Sequence, residues 1–217
     1  MPTLVIAGSN TDVGKTHVAA ALARELSGQG TVQVVKTVET GIAPGGNGDV
    51  EFVSKKCDTL VAAHTLLRYR TPMAPVAAAA LEGVELTLEM ILERYHKLPP
   101  ADCRLVEGAG GIASPLSHNG EDLRDLALKI SADAIILVVE DCLGAITQAR
   151  VNYAYAASSG IPVWLWLNEV TPQEPHIRAS NREGIAACML PLCACTDHGA
   201  EVTHWINPPL WLKPFTV

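Results

Sequence analysis

The sequence predicts an α/β domain in which helices cover both faces of a mostly parallel sheet. Short apolar runs alternate along the chain with segments of helical periodicity, as they do in folds built from strand–helix–strand crossovers. A glycine-containing loop of phosphate-binding type lies between the first apolar run and the first helical segment. Hydrophobic residues make up 48% of the 217 residues but aromatic residues only 5%, which indicates aliphatic strands packed against helices of small residues. We therefore expect a single three-layer domain of the P-loop nucleotide-binding type over residues 1–217.

The first half of the chain contains strands and helices that alternate around glycine-rich turns. The apolar runs predict strands at residues 4–7, 32–36 and 66–69. The periodic or alanine-rich segments predict helices at residues 15–26, from residue 49, at 76–80 and at 87–96. Gly28 and Gly30 end the first of these helices, and residues 41–48 form a loop rich in glycine and proline.

The second half repeats this rhythm. Strands are predicted at residues 104–107, 134–139 and 163–167, and helices at 123–130, 145–157 and 181–188. Strands that alternate with helices imply right-handed crossovers and a parallel sheet. Residues 189–195 match neither pattern clearly.

Composition excludes several classes of protein. The chain has 23 acidic and 16 basic residues, a formal net charge of −7, whereas a dedicated nucleic-acid binder is usually basic. No apolar run approaches the roughly 18–20 residues that a membrane span requires. The first residues carry no basic leader before an apolar stretch, so no secretory signal is indicated. We expect a cytoplasmic protein.

The six cysteines include a group near the C-terminus. Cys188, Cys193 and Cys195 precede His198 and His204, but the spacing matches no common zinc template. Free thiols are therefore the favoured interpretation, with a zinc site as the alternative.

The phosphate loop is the strongest motif. Residues 8–16 read GSNTDVGKT and stand between a predicted strand and a predicted helix, where backbone N–H groups and the helix N-terminus can cradle phosphate oxygens. Lys15 would reach the β- and γ-phosphates, and the Thr16 hydroxyl would bind Mg²⁺. The alternative is a chance Gly-Lys-Thr at a helix start. We expect nucleotide contacts here from Asp12, Val13, Gly14, Lys15, Thr16 and His17.

Two positions of this loop depart from related patterns. Ser9 stands where the first glycine of GxxxxGK[ST] belongs, and Gly8 comes one residue early. Asn10 stands where partition-type ATPases carry a second lysine. The loop is therefore a variant, and an ATPase that positions DNA or membranes is not indicated.

Three further polar residues are candidates to complete the site. Lys36 ends a predicted strand and can face the ligand crevice, or it can be an ordinary solvated lysine. Asp49 begins a helix and can be an N-cap, a Mg²⁺ ligand or both. Glu107 ends a strand, in the place of a metal-binding acid, although residues 108–111 (GAGG) can equally be a simple turn. We expect Thr16, Asp49 and Glu107 to hold the metal.

Taken together, these segments resemble the dethiobiotin synthetase family. The resemblance runs in order through about residues 1–188, and VEGAGG and KxVxTG are much more specific than the phosphate loop. The segments that carry it are residues 8–16, 36–41 (KTVETG), 71–75 (TPMAP), 105–111 (LVEGAGG), 141–147 (DCLGAIT) and 180–182 (SNR).

The resemblance implies a reaction. The enzymes of this family use ATP, Mg²⁺ and CO₂ to close a cyclic urea on 7,8-diaminononanoate in biotin synthesis. An amine takes up CO₂ as a carbamate, the carbamate oxygen attacks the γ-phosphoryl group, and the second amine displaces phosphate from the resulting carbamic–phosphoric anhydride. Such an enzyme is a ligase that hydrolyses ATP to ADP and phosphate.

The resemblance also assigns roles to residues. Lys36 would hold the carbamate and, with Lys15, stabilise the transferring charge. Asn168 would lie beside the adenine, although an asparagine after a strand is also an ordinary turn residue. The remaining expected nucleotide contacts are Asp49, Glu107, Gly108, Ala109 and Gly110, and the expected substrate contacts are Lys36, Thr40, Pro72 and Gly110.

Family members are homodimers, and the resemblance places the diamine across the interface. Its carboxylate would meet a segment of the second subunit that includes Leu143, Gly144, Ile146 and Thr147. The family often has asparagine where this chain has Thr147, so backbone N–H groups would have to serve there.

Two other functions share this fold, a nucleotide-dependent switch and a small-molecule kinase. Lys36 and Thr40 favour the ligase, because a switch does not need a diamine pocket.

Overall fold

The computed structural model describes residues 2–43, 45–46, 48–57, 60–201 and 203–209. Within these residues, eight strands form one sheet in the order β3-β2-β4-β1-β5-β6-β7-β8. Every neighbouring pair in this sheet is parallel except β7 and β8. The strands are β1 (Thr3–Gly8), β2 (Val32–Thr40), β3 (Val61–Tyr69), β4 (Cys103–Glu107), β5 (Ala134–Glu140), β6 (Val163–Asn168), β7 (Leu192–Thr196) and β8 (His204–Trp205).

The helices that cover the sheet are α1 (Lys15–Ser27), α2 (Asp49–Lys56), α3 (Pro75–Leu81), α4 (Leu88–His96), α5 (Leu123–Lys129), α6 (Ala145–Ala157) and α7 (Pro175–Ala187). Side chains alternate along the strands and so feed two apolar clusters. Val5 and Ala7 join one cluster with α3 to α7, whereas Leu4 and Ile6 join the other with α1 and α2. The sheet therefore lies between two helical layers, and the predicted three-layer α/β class is confirmed.

Three elements are longer than predicted. The strand predicted at 32–36 continues to Thr40, because β3 pairs with β2 as far as Thr40 and Tyr69. The strand predicted at 66–69 begins at Val61. The helix predicted at 181–188 begins at Pro175, a residue that suits the first turn of a helix because its missing N–H has no partner there.

Strand β7 has no counterpart among the predicted elements. Its five residues, LCACT, are all buried, but alanine and cysteine give no clear strand signal. The pairing with β6 shifts register between Leu165 and Trp166, which leaves Cys193 as an extra residue. As a result, Cys193 packs in the cluster on the α1 side and Cys195 in the other.

The cysteine group is thus divided between the two faces of the sheet. None of the six cysteines, all of which the structure describes, is in a disulfide bond. Burial raises the pKa of Cys193 to about 12 and that of Cys195 to about 11, which makes these thiols poor nucleophiles. Nowhere in the described ranges do three or more His, Cys, Asp or Glu side chains converge closely enough to hold a metal ion.

No helix in the described part of the chain has both the length and the apolar character needed to cross a lipid bilayer.

Candidate functional site

The phosphate loop connects β1 to α1 at the carboxyl edge of the sheet, where ligands bind in open parallel α/β folds. Gly14 has a φ of +86° and is the N-cap of α1. A Cβ there would lie 2.1 Å from Nδ2 of Asn168, so both the backbone conformation and the available space require glycine. No side chain accepts a hydrogen bond at the N-cap of α1. The N–H groups of its first turn are therefore available to phosphate oxygens.

Lys15 explains why Gly8 can replace the usual first glycine of the motif. The Nζ atom of Lys15 folds back over the loop and donates a hydrogen bond to the carbonyl oxygen of Asn10, 2.9 Å away. A Cβ at position 8 would lie 2.9 Å from the same Nζ and 2.7 Å from the Asn10 oxygen. The glycine that makes room for the lysine is therefore Gly8, and a serine at position 9 is compatible with the loop.

A buried charge cluster lies beside the loop. Strands β2 and β4 pair in register with Lys36 opposite Glu107. The Nζ atom of Lys36 lies 2.6 Å from Oε1 of Glu107 and 2.5 Å from Oδ2 of Asp49. The Thr16 hydroxyl donates to the same Oε1 atom over 2.8 Å. Lys36 is 8% exposed and Glu107 only 1%, so these two side chains are buried, whereas the carboxylate of Asp49 is partly exposed.

The two lysines of the site respond oppositely to this environment. Burial opposes a charge on Lys36, but the carboxylates of Glu107 and Asp49 outweigh burial and raise its pKa above the ordinary value. Burial and the nearby charge of Lys36 lower the pKa of Lys15 to about 8. Lys36 is therefore firmly cationic, whereas Lys15 is the lysine that gains most from an anionic ligand.

The three predicted metal ligands lie together. Thr16, Asp49 and Glu107 offer one hydroxyl and two carboxylates, and this all-oxygen set suits Mg²⁺. Both carboxylates already contact a positive charge, the ammonium of Lys36. The residues present thus fit a divalent cation.

Two cavities adjoin each other here, and the first of them opens onto this cluster. The first, of about 420 Å³, is lined by Lys15, Thr16, Lys36, Asp49 and Glu107 among others. The second, of about 570 Å³, lies between the loop at residues 72–75 and Ser114. They share lining residues, which are Thr11, Asp12, Thr40, Ala109 and Gly110. Phosphates at the loop and a second substrate next to Thr40 and Pro72 would therefore be neighbours.

A third cavity, of about 230 Å³, lies on the other side of the phosphate loop. Its lining residues are Gly14, His17, Asn168, Glu169, Val170, His198 and Gly199. Asn168 donates from Nδ2 to the carbonyl oxygen of Val13 over 3.0 Å, which attaches the end of β6 to the loop. His17 contacts the carbonyl oxygen of Ala200 at 3.0 Å, so the segment after β7 forms the outer wall. The position of this cavity beside the phosphate loop suits a nucleobase.

The structure corrects the interpretation of Asp49 as an N-cap. Gly48 is the N-cap of α2, and Asp49 is the first residue within the helix. The Asp49 carboxylate is directed to Lys36 instead. Thr40 and Lys36 both lie on β2, four residues apart and about 13 Å along the strand.

Gly108 and Val13, two of the expected nucleotide contacts, also take part in the packing of the domain. Gly108 borders neither the first nor the second cavity, and a Cβ there would lie 2.4 Å from a methyl group of Leu123. It therefore serves the packing of β4 against α5. The Val13 side chain is buried in an apolar cluster, so only its backbone is available to a ligand.

The segment at the start of α6 lies outside the three cavities described above. Leu143 is 89% exposed, and Gly144 and Thr147 are also exposed. Ile146 instead packs against Gly184 of α7, where a Cβ would lie 2.3 Å from its Cδ1 atom. Its side chain therefore takes part in packing within the chain but is only partly buried, and its contact with a substrate stays a prediction.

Several residues of the site escaped the sequence analysis. Glu39 and Ser114 border the two large cavities, and Glu169 and His198 border the third. Glu39 lies within the KTVETG segment. An acidic residue in an apolar strand indicates a polar contact in the folded protein, because a buried charge needs a partner. The other three lie in connecting segments whose positions depend on long-range packing.

Comparison with known proteins gives two kinds of similarity. A family model described as "AAA domain" matches residues 2–191. An ATP-dependent dethiobiotin synthetase BioD from Mycobacterium avium (strain 104) is 36% identical over 204 residues, 92% of this chain and 88% of that protein. The protein of the same name from Rhodococcus jostii (strain RHA1) is 37% identical over 228 residues, and this alignment spans 98% of this chain and 97% of that protein.

Solved structures are similar in fold alone. The signal recognition particle receptor FtsY from Elizabethkingia anophelis in complex with GDP gives a TM-score of 0.57 at 15% identity, over 95% of this chain and 60% of that one. A ParA family ATPase from Chlorobium tepidum TLS gives a TM-score of 0.55 at 13% identity, over 91% of this chain and 84% of that one.

The lowered pKa of Lys15 predicts proton uptake on nucleotide binding. With a pKa of about 8, about half of the Lys15 side chains are neutral at pH 8, and phosphate oxygens would restore their charge. Titration calorimetry with ADP in two buffers of different ionisation enthalpy should show an uptake of about half a proton at pH 8 and about a tenth at pH 7. Lys15→Arg is the control, because arginine stays protonated, and it also corrects for ionisation of ADP. Equal uptake by both proteins at pH 8 would contradict this assignment.

Proposed function

The chain belongs to the family of ATP-dependent dethiobiotin synthetases, and we propose that the site described above closes the ureido ring of dethiobiotin on 7,8-diaminononanoate. Relatives of that name align over nearly their full lengths, so the expected family and enzyme class, an ATP-dependent ligase of biotin synthesis, are confirmed. The similarity to FtsY and ParA, at 15% and 13% identity, concerns the fold. It gives no separate support to a nucleotide switch.

The position of Lys36 is the observation that carries the proposal. Its ammonium lies in the cavity of the phosphate loop, and that cavity adjoins a second one lined by Thr40 and Pro72. A carbamate and a triphosphate are both anionic and repel each other, so their approach needs concentrated positive charge. Lys15 and Lys36 supply that charge from two sides of one cavity.

The proposed reaction has three steps. One amine of the substrate attacks CO₂, and loss of its proton leaves a carbamate. A carbamate oxygen then attacks the γ-phosphorus atom, ADP leaves, and a carbamic–phosphoric anhydride forms. The second amine attacks the carbonyl carbon, the C–O bond to phosphate breaks, and the ring closes. Lys36 would hold the carbamate, while Lys15 and the N–H groups of the loop would hold the phosphates.

Thr16, Asp49 and Glu107 would hold Mg²⁺, which when bound supplies charge neutralisation to the β- and γ-phosphate oxygens. The same two carboxylates pair with Lys36 in the site described above. A divalent cation on these oxygens would therefore share the negative charge that now neutralises Lys36.

The proposed enzyme is a homodimer that works in the cytoplasm. The exposed N-terminus of α6, with Gly144 as its N-cap, presents the positive end of a 13-residue helix, which suits a carboxylate. Because this segment lies outside the cavities of its own subunit, the tail of the diamine would reach it on a second subunit. The absence of a membrane-crossing helix among the described residues agrees with a cytoplasmic location.

A product analysis tests the proposed reaction. Incubation of the protein with 7,8-diaminononanoate, bicarbonate and Mg-ATP should yield dethiobiotin by mass spectrometry, with equal amounts of ADP and phosphate. Phosphate release that does not depend on the diamine would support a nucleotide switch instead. A stable phosphorylated product without a ring would support a kinase.

Lys36→Met should separate turnover from nucleotide binding. The kcat is expected to fall by about 10²–10³-fold, the usual cost of removing one preorganised charge at a transition state. The dissociation constant of ADP without metal should stay close to the wild-type value, because the contacts of the phosphate loop remain. Lys129→Met, an exposed lysine of α5, is the matched control. A K36M enzyme with near-normal kcat would remove Lys36 from the proposed role.

A further inference from the structure

The N-terminus of α2 is held in an unusual way. Gly48, its N-cap, has no side chain to accept a hydrogen bond from the first turn, although the first N–H groups of a helix need acceptors. Two carboxylates take this role, one from the first turn of α2 itself and one from β2. Glu51 accepts from the N–H of Gly48 over 2.6 Å, and Glu39 of β2 accepts from the N–H of Asp49.

Glu39 is fixed in place by a second set of contacts. It is only 4% exposed, and its Oε2 atom accepts from Nε of Arg68 over 2.7 Å and from the Thr65 hydroxyl over 3.3 Å. Arg68 also donates from Nη2 to both carboxylate oxygens of Glu51 at 3.1 Å. These three residues, Glu39, Glu51 and Arg68, form what we call the α2 clamp. It joins β2 and β3 to the first turn of α2.

The packing around Gly48 shows that this geometry depends on a glycine at the N-cap. A Cβ at position 48 would lie 2.1 Å from Oε1 and 2.5 Å from Cδ of Glu39. An ordinary Ser, Thr or Asp N-cap would therefore displace the Glu39 carboxylate or push the helix away from the sheet. The strand carboxylate occupies the place of a capping side chain.

The rest of α2 does little to fix the helix. Among its eight residues, all of which the structure describes, Val53 alone is buried. Its apolar contact with the sheet is thus small, and the polar contacts at its N-terminus carry much of the placement. Helices with so little buried apolar surface depend on specific interactions for their position.

The clamp acts on the residue that faces the catalytic cluster. Because Glu39 and Glu51 supply the capping contacts, the carboxylate of Asp49 is not needed for capping, and its Oδ2 atom lies 2.5 Å from Nζ of Lys36. Glu39 borders the same cavity, but both of its oxygens already accept hydrogen bonds from the protein. It can therefore influence the site through Asp49 without contacting a substrate.

We propose that Glu39 and Arg68 are positioning residues, which hold the first turn of α2 so that the Asp49 carboxylate faces Lys36 and the metal position. This inference rests on the proposed function, since it assigns the placement of one metal ligand of that site. The chain spacing between Glu39 and Arg68 is 29 residues, so the contact exists only in the folded protein.

The test uses Mn²⁺ as a spectroscopic probe. Glu39→Gln keeps an acceptor for the N–H of Asp49 but presents an amide nitrogen to Arg68, whereas Arg68→Met removes the guanidinium. In each variant, the affinity of the protein–ADP complex for Mn²⁺, measured by electron paramagnetic resonance, should fall by about 10–100-fold, as is usual when a partner of a metal ligand is lost. The dissociation constant of ADP in EDTA should not change.

Turnover and combination of the variants give further readouts. The kcat with Mg-ATP should fall by up to about 10²-fold, as expected when a catalytic group is misplaced by about 1 Å. The double variant should lose scarcely more than the stronger single one, because the two side chains act as a unit. Arg68→Lys, which can reach only one of the two carboxylates at a time, should recover part of the loss seen in R68M.

Asp122→Asn is the matched control. Asp122 is a buried carboxylate that caps α5 and pairs with Arg124, and it lines none of the three cavities described above. D122N should lower the melting temperature without changing Mn²⁺ affinity or kcat. The inference is overturned if E39Q and R68M behave like D122N, less stable but with wild-type Mn²⁺ affinity and kcat. If E39Q does not fold, the test rests on Arg68. R68M should then lose Mn²⁺ affinity and kcat, and R68K should recover part of that loss. Wild-type Mn²⁺ affinity and kcat in R68M would overturn the inference.

The outcomes separate this inference from the proposed function. A wild-type protein that makes no dethiobiotin contradicts the function, whatever the variants do. A wild-type protein that makes dethiobiotin, with variants that bind Mn²⁺ as tightly as it does, contradicts the inference alone.

Discussion

The ammonium of Lys36, buried between the carboxylates of Glu107 and Asp49, is the interaction on which the rest of the site depends. A buried charge is tolerated only when it is paired, and removal of one partner of a buried pair typically costs about 3–5 kcal/mol. The parallel pairing of β2 with β4 fixes Lys36 opposite Glu107, and the N-terminus of α2 brings Asp49 from the other side. The sheet and the helix therefore have to meet within hydrogen-bonding distance for the cluster to form.

This arrangement also resolves an apparent conflict between overall and local charge. The chain carries a formal net charge of −7, yet every expected substrate group at the loop is anionic. Lys15, Lys36 and the N-terminus of α1 converge on one cavity, but the carboxylates of Asp49 and Glu107 line it as well, so the local field would become favourable to phosphates only with a cation on those carboxylates. The two carboxylates that neutralise Lys36 are also suited to hold a divalent cation, so the site can exchange one positive charge for another.

Much of this site could be predicted from the sequence, for a clear physical reason. Parallel strands bring their carboxyl ends to one edge, so residues that end predicted strands, such as Lys36 and Glu107, are expected to meet near a phosphate loop. The family resemblance added the substrate and the residues expected to contact it. Local patterns also gave the type of most elements, because alternation of apolar runs with helical periodicity is strong in this chain.

The features of the site and fold that the sequence did not predict depend on contacts between distant parts of the chain. Asp49 looked like an N-cap because aspartate at a helix start usually is one, and only the approach of Glu39 from β2 shows otherwise. Gly108 looked like a ligand-approach glycine, but its neighbour is Leu123. Strand β7 is too short and too poor in β-branched residues to be recognised, although it joins β6 to the edge strand β8 and leads into the segment that lines the third cavity.

The most direct test of the central claim follows the oxygen atoms of CO₂. If Lys36 holds a carbamate that attacks the γ-phosphoryl group, then turnover with added C¹⁸O₂, in unlabelled water and at times short against its hydration, should place one ¹⁸O atom in each molecule of inorganic phosphate. Mass spectrometry of the phosphate measures this directly. Phosphate whose new oxygen comes from water would show that the site hydrolyses ATP without a carbamate, and would contradict the account.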